Sequence, residues 1–306
     1  MLQRLLPFLT LIALFTGLSL VSEPFRTATN LANIARQTAA INIMALGMTL
    51  IIVAGGIDLS VGAILAFAGY AGARAMERGL PIAAGIAVGL AAGLVCGLLN
   101  GLLTVRLKIA PFIVTLGTLG IIRGVTLIYS GGLPVANLPR GFGLLGDGNL
   151  LGVPVVLYLL VACSLLTHVI LEFTRLGRYA YAIGSNRDAA RYAGVPIAFH
   201  TVALYGICGM LTGLAGMIES SRLMTGQPTA GQGYELQAIA AVVIGGGSLS
   251  GGEGTVTGTL IGAFIMGLLA NGCLLLGISP YVQQAVIGAV IILAVTVDEL
   301  RKRRFR

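Results

Sequence analysis

Asn42, Asp58, Asn100, Thr115, Thr118 and Arg123 stand inside otherwise apolar stretches of this sequence. Where such stretches cross a bilayer, a polar group at depth is costly and marks function by default. Amides, a carboxylate and hydroxyls suit the lining of a pathway for a polar solute better than they suit covalent chemistry. Asp58 sits in the glycine-rich stretch VAGGIDLSVG and precedes Leu59 and Ser60 at a helix start, so it also suits a helix cap; the two roles are compatible. Arg123 equally suits pairing with an acid or with carbonyls inside a helix bundle. Thr115 and Thr118 are less specific, because threonines in spans often bond their own helix.

No arrangement for catalysis or metal binding accompanies them. Residues 249–253, LSGGE, resemble the LSGGQ signature of ATP-binding-cassette (ABC) ATPases. That motif works only in a domain that also holds a G-K-[ST] phosphate loop, and neither Lys108 nor Lys302 follows a glycine or precedes Ser or Thr. Residues 141–146, GFGLLG, match G-x-G-x-x-G formally but follow no strand of a βαβ unit, which makes them an external loop. His168 and His200 have no acid or serine arranged beside them. Cys96, Cys163, Cys208 and Cys273 lie in apolar stretches without C-x-x-C spacing and read as small packed hydrophobes.

The elements that must position these groups follow from composition. Of 306 residues 57% are apolar and 10% charged, and the mean hydropathy is +0.96; a soluble domain carries roughly 25% charged residues. Apolar segments fall near 5–22, 38–54, 59–76, 80–104, 111–130, 150–171, 197–218, 235–247, 254–276 and 280–297. A helix needs about 20 residues to cross the hydrocarbon core, and the eighth segment is too short for that. The expectation is an all-α polytopic membrane protein of about ten transmembrane segments, one domain over 1–306, with the first segment an uncleaved span.

The net charge of +8 is not a nucleic-acid signature, because no basic patch is interleaved with aromatics. With the N-terminus inside, Arg4, Arg106, Lys108, Arg175, Arg178, Arg187, Arg191 and the basic tail at 299–306 all fall on the cytoplasmic side. Arg26, Arg36, Arg74, Arg78, Arg140 and Arg222 fall outside. That imbalance fits both termini inside and an even number of crossings.

Two glycine patterns describe the packing. Gly85, Gly89, Gly93, Gly97 and Gly101 recur every four residues and lay a stripe down one face of the fourth segment, where another backbone can approach closely. VAGGIDLSVG at 53–62 and VIGGGSLSGG at 243–252 share six of ten residues at an offset of 190. Each copy ends one apolar segment and precedes another. Repeats with glycine-interrupted helices are common in transporters, and the interruptions often line the pathway.

The segment 172–197 reads as a cytoplasmic loop holding a short helix. Ser185 or Asn186 is available as its N-cap and Asp188 stands in its first turn. Ala189, Ala190 and Arg191 follow, Gly194 is a C-cap and Pro196 a stop. It is either a solvated connection or a helix that docks into a groove on a partner.

GGIDLSVG (55–62), PFIVTLGTLGIIRG (111–124), YAIGSNRDAARYAGV (181–195) and AIAAVVIGGGSLSGGEGTVTGTLIG (238–262) together resemble the ribose-type sugar permease family of ABC importers. The resemblance runs over nearly the whole chain with its motifs in order. It implies a bacterial inner-membrane subunit that pairs with a second permease copy and receives a monosaccharide from a periplasmic binding protein. A separate cytoplasmic ATPase would supply the energy; ATP and Mg would sit on that partner, and this chain would hold no cofactor. It also implies that Ser185, Asn186, Arg187, Asp188, Ala189, Ala190 and Arg191 form the ATPase-coupling loop. Gln237 departs from the acid expected in the family's YELDAIA-like stretch. The alternative is an ion-coupled secondary transporter that uses Asp58 and Arg123 as coupling charges.

Overall fold

The computed structural model describes residues 2–304, with side-chain surroundings defined throughout 6–279; the side chains of the basic tail at 299–306 lie outside the described residues. The helices are α1 (Leu2–Val21), α2 (Ala28–Val53), α3 (Val61–Glu77), α4 (Ile82–Leu107), α5 (Pro111–Ser130) and α6 (Val155–Phe173). They continue with α7 (Arg175–Ser185), α8 (Arg187–Tyr192), α9 (Ile197–Leu223), α10 (Tyr234–Ile244), α11 (Val256–Leu275) and α12 (Pro280–Arg304). Between α5 and α6 a two-residue hairpin pairs Asn149–Leu150 with Val153–Pro154. Leu151 and Gly152, both at positive φ, make the tight turn that this pairing needs.

All-α and polytopic describe the chain, but the count of about ten is not reached on length and apolarity. Six helices among the described residues qualify as spans: α2, α4, α5, α6, α9 and α11. α3 has 17 residues and α10 only 11. α2 begins ten residues before the apolar segment that signalled it. Thr27 caps it by accepting from the Asn30 amide at 3.2 Å, and its polar first turns are partnered across the fold. Asn30 and Asn271 exchange amide hydrogen bonds at 3.1 Å, and Arg36 pairs with Asp147 at 3.1 Å.

From residue 38 to 53 every side chain of α2 is buried, which is the expected place for a helix apolar all round. It is packed by α9, α11, α6 and α10. From Gly89 to Gly101 the glycine stripe of α4 lies against α9, while Gly85 lies against α3: a Cβ on Gly93 would strike Gly209 O, and one on Gly97 would strike Tyr205 O. Backbone thus touches backbone along both helices, the packing that small residues permit in lipid.

Between α9 and α10 the chain returns as a non-helical segment of turns, 224–233. Met224, Gly231 and Gly233 take positive φ. Gly226 and Val135 exchange backbone hydrogen bonds at 2.9 and 3.0 Å. Arg123 Nη1 donates to Pro228 O at 3.0 Å and to Ala230 O at 2.8 Å. Arg123 lies about 18 Å along α5, so these bonds satisfy non-helical backbone at depth, the condition under which such backbone is tolerated there. The segment ends with Gly231 O against Gly62 in the first turn of α3.

Candidate functional site

Both copies of the glycine repeat end a helix in the same way. At the end of α2, Gly55 (φ 76°) lets its own N–H reach Ile52 O and the Gly56 N–H reach Ile51 O, each at 2.9 Å. At the end of α10, Gly246 (φ 89°) lets its N–H reach Val243 O and the Gly247 N–H reach Val242 O, at 2.9 and 2.8 Å. These are Schellman caps, which need a left-handed residue at the turn. The caps pair Gly55 with Gly246, one residue off the sequence alignment. The turns that follow restore the offset of 190, because Ser60 N donates to Asp58 Oδ1 at 2.8 Å and Ser250 N donates to Ser248 Oγ at 3.2 Å.

The first break is held by a buried polar knot. Asp58 has no exposed surface; its Oδ1 accepts from Ser60 N and from Ser60 Oγ (2.6 Å), and its Oδ2 accepts from Asn100 Nδ2 at 3.2 Å. Asn100 Nδ2 also donates to Ser60 Oγ at 2.7 Å. The carbonyl of Ile57 accepts from Tyr205 OH at 3.1 Å and lies 3.3 Å from Thr115 Oγ1, whose shorter bond runs to Pro111 O in its own helix. The knot thus ties the break to α4, α5 and α9.

The second break, residues 245–255, packs directly on the first. Gly252 N donates to Val53 O at 2.9 Å. A Cβ added to Gly251 would lie 2.8 Å from the Cα of both Gly55 and Gly184. Gly184 belongs to α7, and a Cβ there would strike Val53 O and sit 2.5 Å from Gly252 N. Tyr181, one turn earlier on α7, donates to Gly254 O at 2.7 Å. Burial, aided by Glu172, raises its phenol above the usual range and keeps it a donor. Residues 249–253, the LSGGE look-alike, are therefore the contact between the breaks and α7.

The segment 172–197 is two helices where the sequence suggested one. Gly177, Ala180 and Ile183 form the buried face of α7, with Arg175 and Arg178 exposed opposite. Asn186 is the elbow and the N-cap of α8, accepting from the Ala189 amide at 2.9 Å. Gly194 (φ 80°) closes α8 with bonds from Gly194 N to Arg191 O and from Val195 N to Ala190 O, each 3.0 Å. Ser185, Arg187, Asp188, Ala189 and Arg191 are exposed, and Asp188 pairs with Arg191 at 3.6 Å. Ala190 is buried against Ile183 and Ile197. Tyr192, 89% exposed, is the large side chain that α8 presents.

Asp58, Asn100 and Thr115 thus meet at the first break, and Thr118 donates to Thr115 O at 3.2 Å just beyond it. Asn42 lies elsewhere on α2, donating to Thr38 O at 2.9 Å with its buried Oδ1 lacking a hydrogen-bond partner among the described residues. Arg123 holds the non-helical segment 224–233. Tyr181, Tyr205, Ser60 and the Gly55–Gly184–Gly251 contact escaped the sequence reading. The matched position of Ser60 and Ser250 in the repeat was the available signal.

The knot predicts a difference between two substitutions. Asp58→Ala leaves two Ser60 donors and one of the two N–H groups of Asn100 Nδ2 unpaired in the interior, at about 1–3 kcal/mol each. Asp58→Asn keeps the Oδ1 acceptor, and an Asn100 flip can turn its unpartnered Oδ1 toward the new amide. Thermal unfolding in detergent should show a large loss for Asp58→Ala and a small one for Asp58→Asn. Equal losses would mean that the carboxylate charge, not the hydrogen bonding, is required.

A family model described as the permease component of branched-chain amino acid transport systems matches residues 30–295. The ribose import permease protein RbsC of Bacillus subtilis is 46% identical over 97% of this chain and 92% of its own length. Its Escherichia coli K12 counterpart is 44% identical over 98% and 94%. The L-arabinose transport system permease protein AraH of E. coli K12 is 36% identical over 96% and 89%. No solved structure matches. With one permease family covering the chain from α2 into α12, and ribose permeases aligned over nearly the whole chain, the chain belongs to the ribose-type ABC importer permease family as a membrane subunit.

Proposed function

We propose that this chain carries a monosaccharide across the bacterial inner membrane, driven by a separate ATPase that docks on α8. The observation that carries the reading is the contact of α7 with both helix breaks, seen in Gly184 against Val53 and Gly252 and in Tyr181 on Gly254. A push on α8 passes through the Asn186 elbow to α7 and from there to both breaks together. The breaks expose backbone groups and bring the Asp58–Ser60–Asn100 knot beside them, at the depth where a hydroxylated solute needs polar partners. Permeases named for ribose, D-allose and L-arabinose are among the relatives, which supports a pentose or hexose here. An ion-coupled carrier is not favoured, since family membership supplies a different energy source.

In this reading a periplasmic binding protein delivers the sugar and a second permease copy completes the pathway. α1, α3, α12, and α10 together with the segment 224–233, complete about ten crossings, with both termini cytoplasmic. The basic residues of α7 and α8 favour that orientation. Proteoliposomes holding the permease, its ATPase and its binding protein should accumulate sugar only with ATP present. Uptake by the permease alone under an ion gradient would overturn the proposal.

The docking surface has its own test. Tyrosine is enriched among the few interface residues whose loss costs about 2 kcal/mol or more, and Tyr192 is the exposed aromatic on α8. Tyr192→Ala should weaken ATPase binding at least thirty-fold, and Ala189→Trp should do likewise by obstruction. Ala190 is buried beneath α8 against Ile183 and Ile197, so a bulky residue there would test packing rather than docking, and Ala189 is the position to substitute. Unchanged ATPase affinity in both variants, measured by surface binding, would remove α8 as the dock.

A further inference from the structure

A cavity of about 500 Å³ opens between α3, α4 and α5, away from the breaks and from α7. Along α3 it is lined by Phe67, Tyr70, Arg74 and Arg78, spaced three or four residues apart and so on one face. From Phe67 to Arg78 that face rises about 16 Å, close to half of a ~30 Å hydrocarbon core. Its apolar lining includes Phe67 of α3, Val88 of α4 and Val125 of α5. Its neck is Tyr70 against Tyr129, edge to face with ring centroids 6.0 Å apart. Its rim is basic. Arg74 is paired with Glu77, while Arg78 has no ion-pair partner among the described residues.

A sugar pathway needs hydroxyl-matching groups along its depth, and this groove has them only at neck and rim. An apolar lining, an aromatic neck and an unbalanced cation one leaflet apart match instead the layout of an amphiphile with a negative headgroup. We infer that the groove holds one anionic phospholipid, its acyl chain between Phe67 and Val125 and its phosphate at Arg78 and Arg74. The site goes beyond the transport reading and does not depend on it.

The chain has no tryptophan, so Val125→Trp gives a single reporter inside the groove, and Phe67→Trp gives a second from the opposite wall. The full chain is placed in phosphatidylcholine nanodiscs containing graded brominated phosphatidylglycerol or brominated phosphatidylcholine. One unbalanced arginine near the surface favours the anionic lipid about five-fold. Half-quenching is therefore expected at about five-fold lower mole fraction of the brominated phosphatidylglycerol. Arg78→Gln should erase the preference, whereas Glu77→Gln, which frees Arg74, should increase it; a misfolded protein cannot give both signs. A tryptophan at Val161, exposed on α6, should show no preference. Equal quenching by the two lipids in the groove would overturn the proposal by making the site ordinary lipid contact. Absence of quenching by either would overturn it in favour of a second copy or water.

Discussion

Gly184→Ala is expected to cut ATP-driven uptake at least ten-fold while leaving ATPase binding intact. The new methyl strikes Val53 O and comes within 2.5 Å of Gly252 N. Both neighbours are backbone, and a hydrogen bond between them, Gly252 N to Val53 O, already holds the two breaks together. Neither can move aside as the end of a flexible side chain would. Overpacking of this kind costs about 1–3 kcal/mol, and 1.4 kcal/mol placed on one state of a transport cycle is ten-fold in rate. Gly184 faces the breaks, whereas Tyr192 and Ala189 face away, so docking should survive. Uptake in proteoliposomes with ATPase and binding protein, alongside ATPase co-purification, separates the two effects. Gly251→Ala should behave in the same way, with added strain from its φ of 87°. Near-normal uptake in both variants would remove the junction from coupling and leave α8 as an isolated dock.

The parts of the fold legible in the sequence are those written in local pattern. Apolar length located α4, α5, α9 and α11 to within a few residues, and the four-residue glycine period located the face of α4 that meets α9. Cap chemistry located α8 between Asn186 and Gly194. What escaped is held by distant partners. The stretch MTGQPTAGQG at 224–233 falls between two apolar segments, and its polar, turn-rich composition carries no signal of where it packs. It lies at depth only because Arg123 and Val135, about a hundred residues earlier, satisfy its backbone. The first ten residues of α2 are hidden for the same reason, with Asn30 and Arg36 partnered by Asn271 and Asp147. The candidate site was half visible. Asp58 and Asn100 were identifiable as costly polar groups, but their meeting with Ser60, and the convergence of both repeats on Gly184, are tertiary facts without a local signature.

Gly97→Ala should destabilise the protein, while the chemically identical Gly120→Ala should not. On helix propensity alone both changes are favourable, by about 1 kcal/mol. Nothing lies within 4 Å of a Cβ at Gly120 on α5, so there the propensity gain stands. At Gly97 the methyl would strike Tyr205 O and lie 3.0 Å from Gly209 Cα, two backbone atoms of a helix already in contact. Lipid offers no hydrophobic force to press α4 and α9 together again, so packing lost there is association lost. The displacement also reaches the first break, because Tyr205 carries the hydroxyl bonded to Ile57 O. Gly97→Leu should then prevent recovery of folded protein, and Gly97→Ala should lower the midpoint of thermal unfolding by several degrees. Gly120→Ala serves as the reference, measured in the same detergent. Equal midpoints for the two alanine variants would mean that the α4–α9 contact is loose enough to absorb a methyl, and the reading of the glycine stripe as a close-packed seam would fail.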